Sequence, residues 1–318
     1  MDDSRMGAPP ARRLLVIHNP TAGGWRRKPR FARALAELER LGCHVEVSRT
    51  EARGDAERLA RTARVEDYDL VVAAGGDGTI NEVVNGLVHS GLPLGVIPLG
   101  TANVFASEIG LPAGMRSAAS FTARAPIVPV HVGSANGRCF SLMAGAGFDA
   151  LVVAGVDGRL KRLCGKCAYV TESLLRMVAW RADPYTVTID GTRHEAASVI
   201  IAKGHFYAGR YVVAPAAHLS APSFQVVLFQ KGGRLAVMRY GIALLFNTIP
   251  RLSDVTIVEG KIVEIKGPPG EPVQGDGDIV ASLPLRVEIA ERVLFVAGAG
   301  QAPATVMPST RKVGASVP

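Results

Sequence analysis

A glycine-rich turn between a buried strand and a helix is the feature that most limits how this chain can fold. The apolar run Tyr68–Val72 predicts a strand, and the periodic apolar residues after Thr79 predict a helix. The three glycines of Gly75–Gly78 let the backbone approach a ligand closely, so that free N–H groups and the helix N-terminus can face a phosphate. Within that turn, Asp77 would need a Mg²⁺ ion between its carboxylate and the phosphates, or would organise the attacking group. An ordinary turn with an Asx cap is the alternative interpretation.

The same alternation of strand and helix runs through the first third of the chain. The predicted strands are Arg13–His18, Cys43–Ser48, Tyr68–Val72 and Leu94–Pro98. Helical patterns separate them, and four such alternations are typical of a doubly wound parallel sheet. The strands are followed by polar or glycine-rich segments at Asn19, Asp77 and Thr101. These loops would gather at one edge of the sheet and form a nucleotide cleft.

The pattern changes near Pro126, where short alternating runs with hairpin signals begin. They predict an antiparallel β domain with two helical inserts, at Leu160–Trp180 and Arg234–Phe246. The second insert is apolar on nearly all sides, which is typical of a core helix, although it would also suit the wall of an acyl-chain pocket. The predicted divisions are a flexible leader over 1–12, a nucleotide-binding domain over 13–125, a β-rich domain over 126–298 and a disordered tail over 299–318.

Composition narrows the class of partner. The net charge of +8 favours an acidic partner such as a nucleotide, a nucleic acid or an anionic membrane. An aromatic content of 6%, not interleaved with basic runs, argues against nucleic acid. The start of the chain lacks the apolar core of a signal peptide, and the longest nearly uncharged run, Cys139–Val156, reads as strand and turn. We therefore expect a cytoplasmic protein with peripheral membrane association, which could also form a homodimer.

Two smaller patterns leave alternatives open. Cys164 and Cys167 have CxxC spacing, but no second pair completes a zinc site, so two reduced thiols are the favoured interpretation. Basic residues cluster at Arg26–Arg30 and again at Lys161–Lys166. Each cluster could bind phosphates or anionic headgroups, or could be a solvated helix face.

Five motifs occur in order along the chain. They are His18–Gly23 (HNPTAG), Gly75–Glu82 (GGDGTINE), Pro98–Asn103 (PLGTAN), Gly145–Ala150 (GAGFDA) and Gly275–Asp278 (GDGD). With this set the chain resembles the diacylglycerol kinase-type lipid kinases, which include bacterial diacylglycerol kinase-like enzymes and sphingosine kinases. The resemblance implies a doubly wound parallel α/β domain similar to those of NAD kinases and phosphofructokinases, followed by an antiparallel β-sandwich-type domain with helical inserts that supplies a lipid pocket.

The resemblance also implies ATP and Mg²⁺ as cofactors and assigns residues to them. The implied nucleotide contacts are Asn19, Pro20, Thr21, Ala22, Gly23, Thr50, Gly75, Gly76, Asp77, Gly78, Thr79, Ile80, Asn81, Glu82, Gly100, Thr101 and Asn103. Asp77 would position Mg²⁺ or the acceptor hydroxyl. The family's Asp-Gly-Glu motif, which is proposed to hold the general base, falls on Asp276 and Asp278, with Asp in place of Glu at the second position.

Two departures from the family pattern bear on these roles. Asn103 is followed by Val104, where many members have Asp, and the segment that binds a structural Mg²⁺ aligns with Leu219–Ser223, which contains no acid. We therefore expect the structural metal to be absent. The implied activity is transfer of the γ-phosphate of Mg-ATP to a hydroxyl of a membrane lipid. An NAD kinase-like enzyme with a soluble substrate and a non-catalytic ATP or lipid sensor are the alternatives.

Overall fold

The structure is a computed structural model that describes residues 12–23, 28–155 and 184–298. Several sequence predictions lie outside these residues. They concern the leader, the tail, the first helical insert with its CxxC pair, and Arg26 and Arg27.

The first domain alternates strands and helices as the sequence predicts. Its elements are β1 (Arg13–His18), α1 (Lys28–Arg40), β2 (His44–Arg49), α2 (Asp55–Thr62), β3 (Leu70–Gly75), α3 (Asp77–Leu87), β4 (Leu94–Pro98), α4 (Val104–Glu108) and α5 (Met115–Arg124). Strand β1 pairs in parallel with β2 and β3, and β3 pairs in parallel with β4. All six residues of β3 are buried, because helices cover the sheet. The doubly wound parallel sheet is confirmed.

The second domain is an antiparallel sandwich. The described elements after residue 126 are β5 (Ile127–Val130), β6 (Gly133–Ala135), β7 (Arg138–Phe140), β8 (Met143–Ala146), α6 (Phe148–Gly155), β9 (Tyr185–Ile189), β10 (Thr192–Ala196), β11 (Ser198–Ala202), β12 (Phe206–Tyr207), β13 (Tyr211–Val212), β14 (Phe224–Phe229), α7 (Arg234–Leu245), β15 (Val255–Gly260), β16 (Ile262–Lys266), β17 (Pro272–Gly275), β18 (Asp278–Ser282), β19 (Leu285–Ile289) and β20 (Leu294–Ala297). Two six-stranded sheets, ordered β10-β9-β16-β19-β6-β7 and β15-β14-β11-β8-β17-β18, enclose a shared apolar core. The predicted sandwich is confirmed.

Two distant strands complete the sheet of the first domain. Its order is β2-β1-β3-β4-β20-β5, with β20 parallel to β4 and antiparallel to β5. Leu294 and Val296 of β20 are buried in the first-domain core. The division at residue 126 stays a prediction, and the sheet shows that the chain returns to the first domain at its last described strand.

Helix α7 differs from its sequence prediction. Five large apolar residues in the helix or directly after it are 50–78% exposed, and its buried positions are Ala236 and Ala243. We call the exposed residues the apolar face of α7: Leu235, Met238, Ile242, Leu245 and Phe246. The prediction of a core helix was wrong, because the helix packs on the domain through Ala243 and the partly buried Tyr240 and Leu244 and leaves its apolar face exposed. Within the described residues, no helix has both the length and the apolarity needed to cross a membrane.

Candidate functional site

Two glycines allow the loops after β3 and β4 to touch. Gly76 is the single residue between β3 and α3. A Cβ placed on Gly100 would lie 2.5 Å from the Gly76 Cα, and one placed on Gly75 would lie 2.5 Å from the Thr79 side chain. Any larger residue at these positions would push the loops apart. The two strand ends therefore meet at one edge of the sheet, as the sequence predicts.

The loop after β1 joins the same edge. Asn19 Nδ2 donates to Thr79 Oγ1 over 3.0 Å, and Asn19 Oδ1 accepts from the backbone N–H and the hydroxyl of Thr21. Thr50 lies at the end of the neighbouring strand, where its N–H donates to the His18 carbonyl. Pro20, Thr21 and Gly23 are exposed beside this junction. This loop therefore presents open backbone next to the glycine-rich turn.

Asn103 supplies an acceptor that the protein does not use. It has a positive φ of 48° and precedes α4, and its Nδ2 donates to the Gly100 carbonyl over 2.9 Å. Its Oδ1 is buried and has no hydrogen-bond partner among the residues that the structure describes. A buried orphaned acceptor needs an explanation, and a donor group on a bound ligand is one. The site therefore fits a nucleotide.

Asp77 faces the start of α4. Its Oδ1 accepts from the Phe105 N–H over 3.2 Å. Burial raises the pKa of Asp77; the Phe105 hydrogen bond opposes this rise, and the nearby charge of Asp276 adds to it. Asp77 therefore holds the loop after β4 in place, whatever further role it has.

Asp276 lies in the turn between β17 and β18 and accepts five hydrogen bonds. Oδ2 accepts from Asn81 Nδ2 at 2.9 Å and from the Ser141 N–H and hydroxyl at 2.7 and 2.8 Å. Oδ1 accepts from the Leu142 and Met143 N–H groups at 2.9 and 3.0 Å. A carboxylate offers about four lone-pair sites, so those of Asp276 are fully engaged. This carboxylate connects α3 of the first domain to the sandwich.

Asp278 approaches the glycine-rich turn from the opposite domain. Its Oδ2 lies 3.4 Å from the position that a Cβ on Gly78 would take, and 3.8 Å from Arg53 Nη2. Its side chain is 33% exposed. The late acidic motif and the glycine-rich turn therefore lie side by side where the two domains meet.

Two residues that the resemblance assigned to nucleotide have partners within the protein. Besides Asp276, Asn81 Nδ2 contacts the Cys139 carbonyl at 3.3 Å. Glu82 Oε2 accepts from the Ala56 N–H at 3.1 Å, in the first turn of α2. Their contact with nucleotide stays a prediction.

Sequence reasoning missed three residues of the site. Asn85 exchanges hydrogen bonds with the Cys139 backbone, Ser141 donates twice to Asp276, and Arg53 lies beside Asp278. The i, i+4 spacing of Asn81 and Asn85 on α3 could have identified Asn85. No local pattern marks the other two residues, because their partners are distant in sequence.

The motif Gly145–Ala150 is linked by hydrogen bonds to the late acidic turn. Asp149 accepts hydrogen bonds from the Tyr207 hydroxyl and from Gln274 Nε2, the latter over 2.7 Å. Burial raises the pKa of Asp149, and these two hydrogen bonds oppose the rise. Gln274 Oε1 in turn accepts from the Gly277 N–H at 3.0 Å. The network thereby fixes the turn that carries Asp276 and Asp278.

Few potential metal ligands lie together among the described residues of this protein. Within residues 12–23, 28–155 and 184–298, no three His, Cys, Asp or Glu side chains gather as metal ligands. Mg²⁺ bound with nucleotide usually takes one or two carboxylates together with substrate phosphates. Asp77, in the first turn of α3, can supply one such carboxylate. The residues therefore fit a metal that arrives with the nucleotide.

A buried ion pair connects α4 to the sandwich. Glu108 accepts from His205 Nδ1, from the His205 N–H at 3.0 Å and from the Phe206 N–H at 3.3 Å. The hydrogen bond to Glu108 raises the pKa of His205 above its ordinary value, although burial opposes it. The pair holds the chain after β11 against the helix that Asp77 positions.

This pair predicts a pH-dependent stability. The pKa of His205 is raised in the folded state. The stabilisation that its pairing with Glu108 adds is therefore fully present below the unfolded-state pKa of about 6.5, and it is lost as the pH rises through the folded-state pKa. We expect His205→Gln to remove this part of the pH dependence of the unfolding temperature, measured by thermal unfolding from pH 5 to pH 9. His89→Gln, at an exposed position, is the control. A His205→Gln curve parallel to that of the wild type would contradict the prediction.

Comparisons with known proteins cover both domains. Residues 13–135 match the family model described as the diacylglycerol kinase catalytic domain, and residues 143–298 match the YegS C-terminal NAD kinase beta sandwich-like domain. A diacylglycerol kinase of Bacillus subtilis (strain 168) is 30% identical over 86% of this chain and 92% of its own. A diacylglycerol kinase of Staphylococcus aureus (strain bovine RF122 / ET3-1) is 31% identical over 69% of this chain and 71% of its own.

Solved structures from Bacillus anthracis str. Sterne share the fold. One, described as a diacylglycerol kinase, has 25% sequence identity and a TM-score of 0.74, and the match covers 92% of this chain and 98% of that one. A second has 23% identity and a TM-score of 0.79, over 96% of this chain and all of that one. Fold, domain order and sequence identity agree along nearly the whole described chain. The protein therefore belongs to the diacylglycerol kinase family of lipid kinases.

Proposed function

We propose that the protein transfers the γ-phosphate of Mg-ATP to a hydroxyl group of a membrane lipid. The observation that carries the proposal is the proximity of Gly78 in the first domain to Asp278 in the second, and we take this junction as the substrate cleft. Phosphoryl transfer depends mainly on positioning and on electrostatic stabilisation, and both require the two substrates to meet in such a cleft.

The first domain holds the nucleotide in this proposal. Backbone N–H groups at the start of α3 face the phosphates, and the helix dipole favours their negative charge. The loops at Asn19–Gly23 and Gly100–Asn103 close the sides of the cradle. Mg²⁺, when bound with ATP, would neutralise phosphate charge, and Asp77 would hold it.

Between the two acids of the late motif, the hydrogen-bond geometry favours Asp278 as the general base. Asp276 already accepts five hydrogen bonds, so its carboxylate has no lone pair to offer a substrate proton. Asp278 is partly exposed in the cleft. The lipid hydroxyl gives its proton to Asp278 as its oxygen attacks the γ-phosphorus, and ADP leaves.

Transfer of labelled phosphate tests the function directly. The protein is incubated with γ-labelled Mg-ATP and, in parallel, with diacylglycerol, a sphingoid base and NAD, and the labelled product is identified. We expect label in a lipid product. Label in NAD would replace the proposal with a soluble-substrate kinase. Tight ATP binding without transfer to any acceptor would indicate a sensor.

The lipid substrate requires an approach to a membrane surface, and the apolar face of α7 supports it. Its five large side chains are exposed together on one helix and the residue that caps it. Lys231, Arg234 and Arg251 are exposed beside it, and residues 231–253 contain no acid. Apolar side chains flanked by basic ones suit an anionic bilayer interface. We therefore include peripheral membrane association through this face in the proposal.

The double variant Leu235→Glu/Phe246→Glu tests that association. Each apolar side chain withdrawn from the interface costs about 1.5–3 kcal/mol, so binding to anionic vesicles should fall more than about tenfold. Co-sedimentation measures the bound fraction, and Val65→Glu, at an exposed apolar position of the first domain, is the matched control. Activity on detergent-solubilised lipid should persist, which separates a docking defect from a catalytic one. Unchanged vesicle binding in the double variant would remove α7 from the membrane contact.

A further inference from the structure

A lysine side chain is buried completely at the junction of the two domains. Lys203 follows β11, has no exposed surface, and its Nζ donates to the backbone carbonyls of His218, Ala221 and Ser223. The distances to the His218 and Ser223 oxygens are 3.2 and 3.1 Å. A fully buried lysine is rare unless it is paired, and no carboxylate pairs with Lys203 in the part of the chain that the structure describes. The three carbonyls therefore compensate its charge.

Three backbone carbonyls that converge on one point are the kind of ligand set that hard divalent cations use. Two of them, those of Ala221 and Ser223, belong to the segment Leu219–Ser223, which the resemblance aligns with the structural Mg²⁺ site of the family and which contains no acid. A divalent ion there would have to share its ligands with a positive ammonium group at contact distance, without a carboxylate to offset the repulsion. The residues present do not fit a structural metal.

The loop that Lys203 organises also reaches the first domain. Leu219 is buried in the first-domain core, and its carbonyl accepts from the His131 N–H at 2.9 Å. On the other side, the N–H groups of Lys203 and Gly204 donate to the Leu142 carbonyl, directly beside the donors that hold Asp276. A cation at Nζ therefore sets the position of a loop that joins the sandwich to the nucleotide-binding domain.

We propose that the Lys203 ammonium group takes the place of a structural divalent cation. The 218–223 loop and the domain junction are then held by the positive charge of a side chain and not by a bound ion. Burial lowers the pKa of Lys203 to about 8, which leaves the side chain mostly protonated at neutral pH. The junction then keeps its geometry when divalent ions are scarce. This inference concerns folding of the junction and does not depend on which substrate the cleft accepts.

Thermal unfolding of the full chain without nucleotide tests the inference. We expect the wild-type unfolding temperature to be the same in EDTA as in millimolar Mg²⁺. Lys203→Met keeps the side-chain length but leaves three carbonyls without a donor, and should lower the unfolding temperature by roughly 5–10 °C. Lys266→Met, which removes an exposed lysine of β16, is the matched control and should change it by no more than about 2 °C. An unchanged temperature in Lys203→Met would overturn the proposal.

Metal analysis keeps the inference testable if Lys203→Met does not fold. Wild-type protein, freed of nucleotide and passed through metal-free buffer, should contain far less than one divalent ion per chain. A stoichiometric divalent ion that survives this treatment, together with an unfolding temperature that EDTA lowers, would show that a metal organises the protein after all. Because neither measurement uses lipid or ATP, their outcome is independent of the proposed kinase reaction.

Discussion

Replacing Asp278 by Asn is expected to lower kcat for lipid phosphorylation by about 10²–10⁴-fold, the usual contribution of a general base. Asparagine has nearly the same shape but cannot take the proton of the attacking hydroxyl. Since Asp278 is partly exposed in the cleft, the unfolding temperature should shift by no more than about 2 °C. Initial rates of transfer to detergent-solubilised lipid, at saturating Mg-ATP, measure the effect without interference from membrane docking.

Asp278→Glu is the matched control for this prediction. It restores the longer acid that the family motif carries and keeps the chemistry of a carboxylate, so it should retain substantially more activity than Asp278→Asn. If Asp278→Asn turned over at a rate near that of the wild type, Asp278 would be excluded as the base. If both variants lost activity equally, the position would matter for its shape and not for its proton affinity.

Replacing Asp276 by Asn should instead produce the largest loss of stability. The amide nitrogen would face groups that are themselves donors, among them the Ser141 N–H and Asn81 Nδ2. Hydrogen bonds to a charged acceptor are worth about 1.5–3 kcal/mol each, so losing two or more should lower the free energy of unfolding by about 3 kcal/mol or more. Urea denaturation, with the midpoint and slope compared with those of the wild type, measures the change.

Asp190→Asn provides the comparison for Asp276→Asn. Asp190 also accepts backbone N–H groups, those of Lys261 and Ile262, but at an exposed hairpin within the sandwich. Its replacement should cost about 1 kcal/mol or less, because water can replace the lost partners. An Asp276→Asn protein that is as stable as the wild type but inactive would contradict the structural role and point back to Asp276 as a catalytic group.

Several features could be predicted from the sequence because they depend on local pattern. Buried runs such as that of β3 mark strands by their apolar character alone, and the glycine-rich turn marks its own backbone conformation. The resemblance carried by the five motifs also placed the glycine-rich turn near the late acidic motif, and Gly78 and Asp278 prove to be neighbours. The resemblance could not distinguish the role of Asp276 from that of Asp278. They are two residues apart in the chain and differ only in what each one touches.

The sequence by itself determined the order of strands and helices, the two domains and the family, because periodicity, turn residues and motif order are properties of neighbouring positions. Only the tertiary structure decided which face of α7 is exposed, which groups donate hydrogen bonds to Asp276, and which carbonyls surround the charge of Lys203. Each of these depends on partners far away in the chain. Ser141 is 135 residues from Asp276, and no local pattern encodes a contact that exists only after both domains have packed.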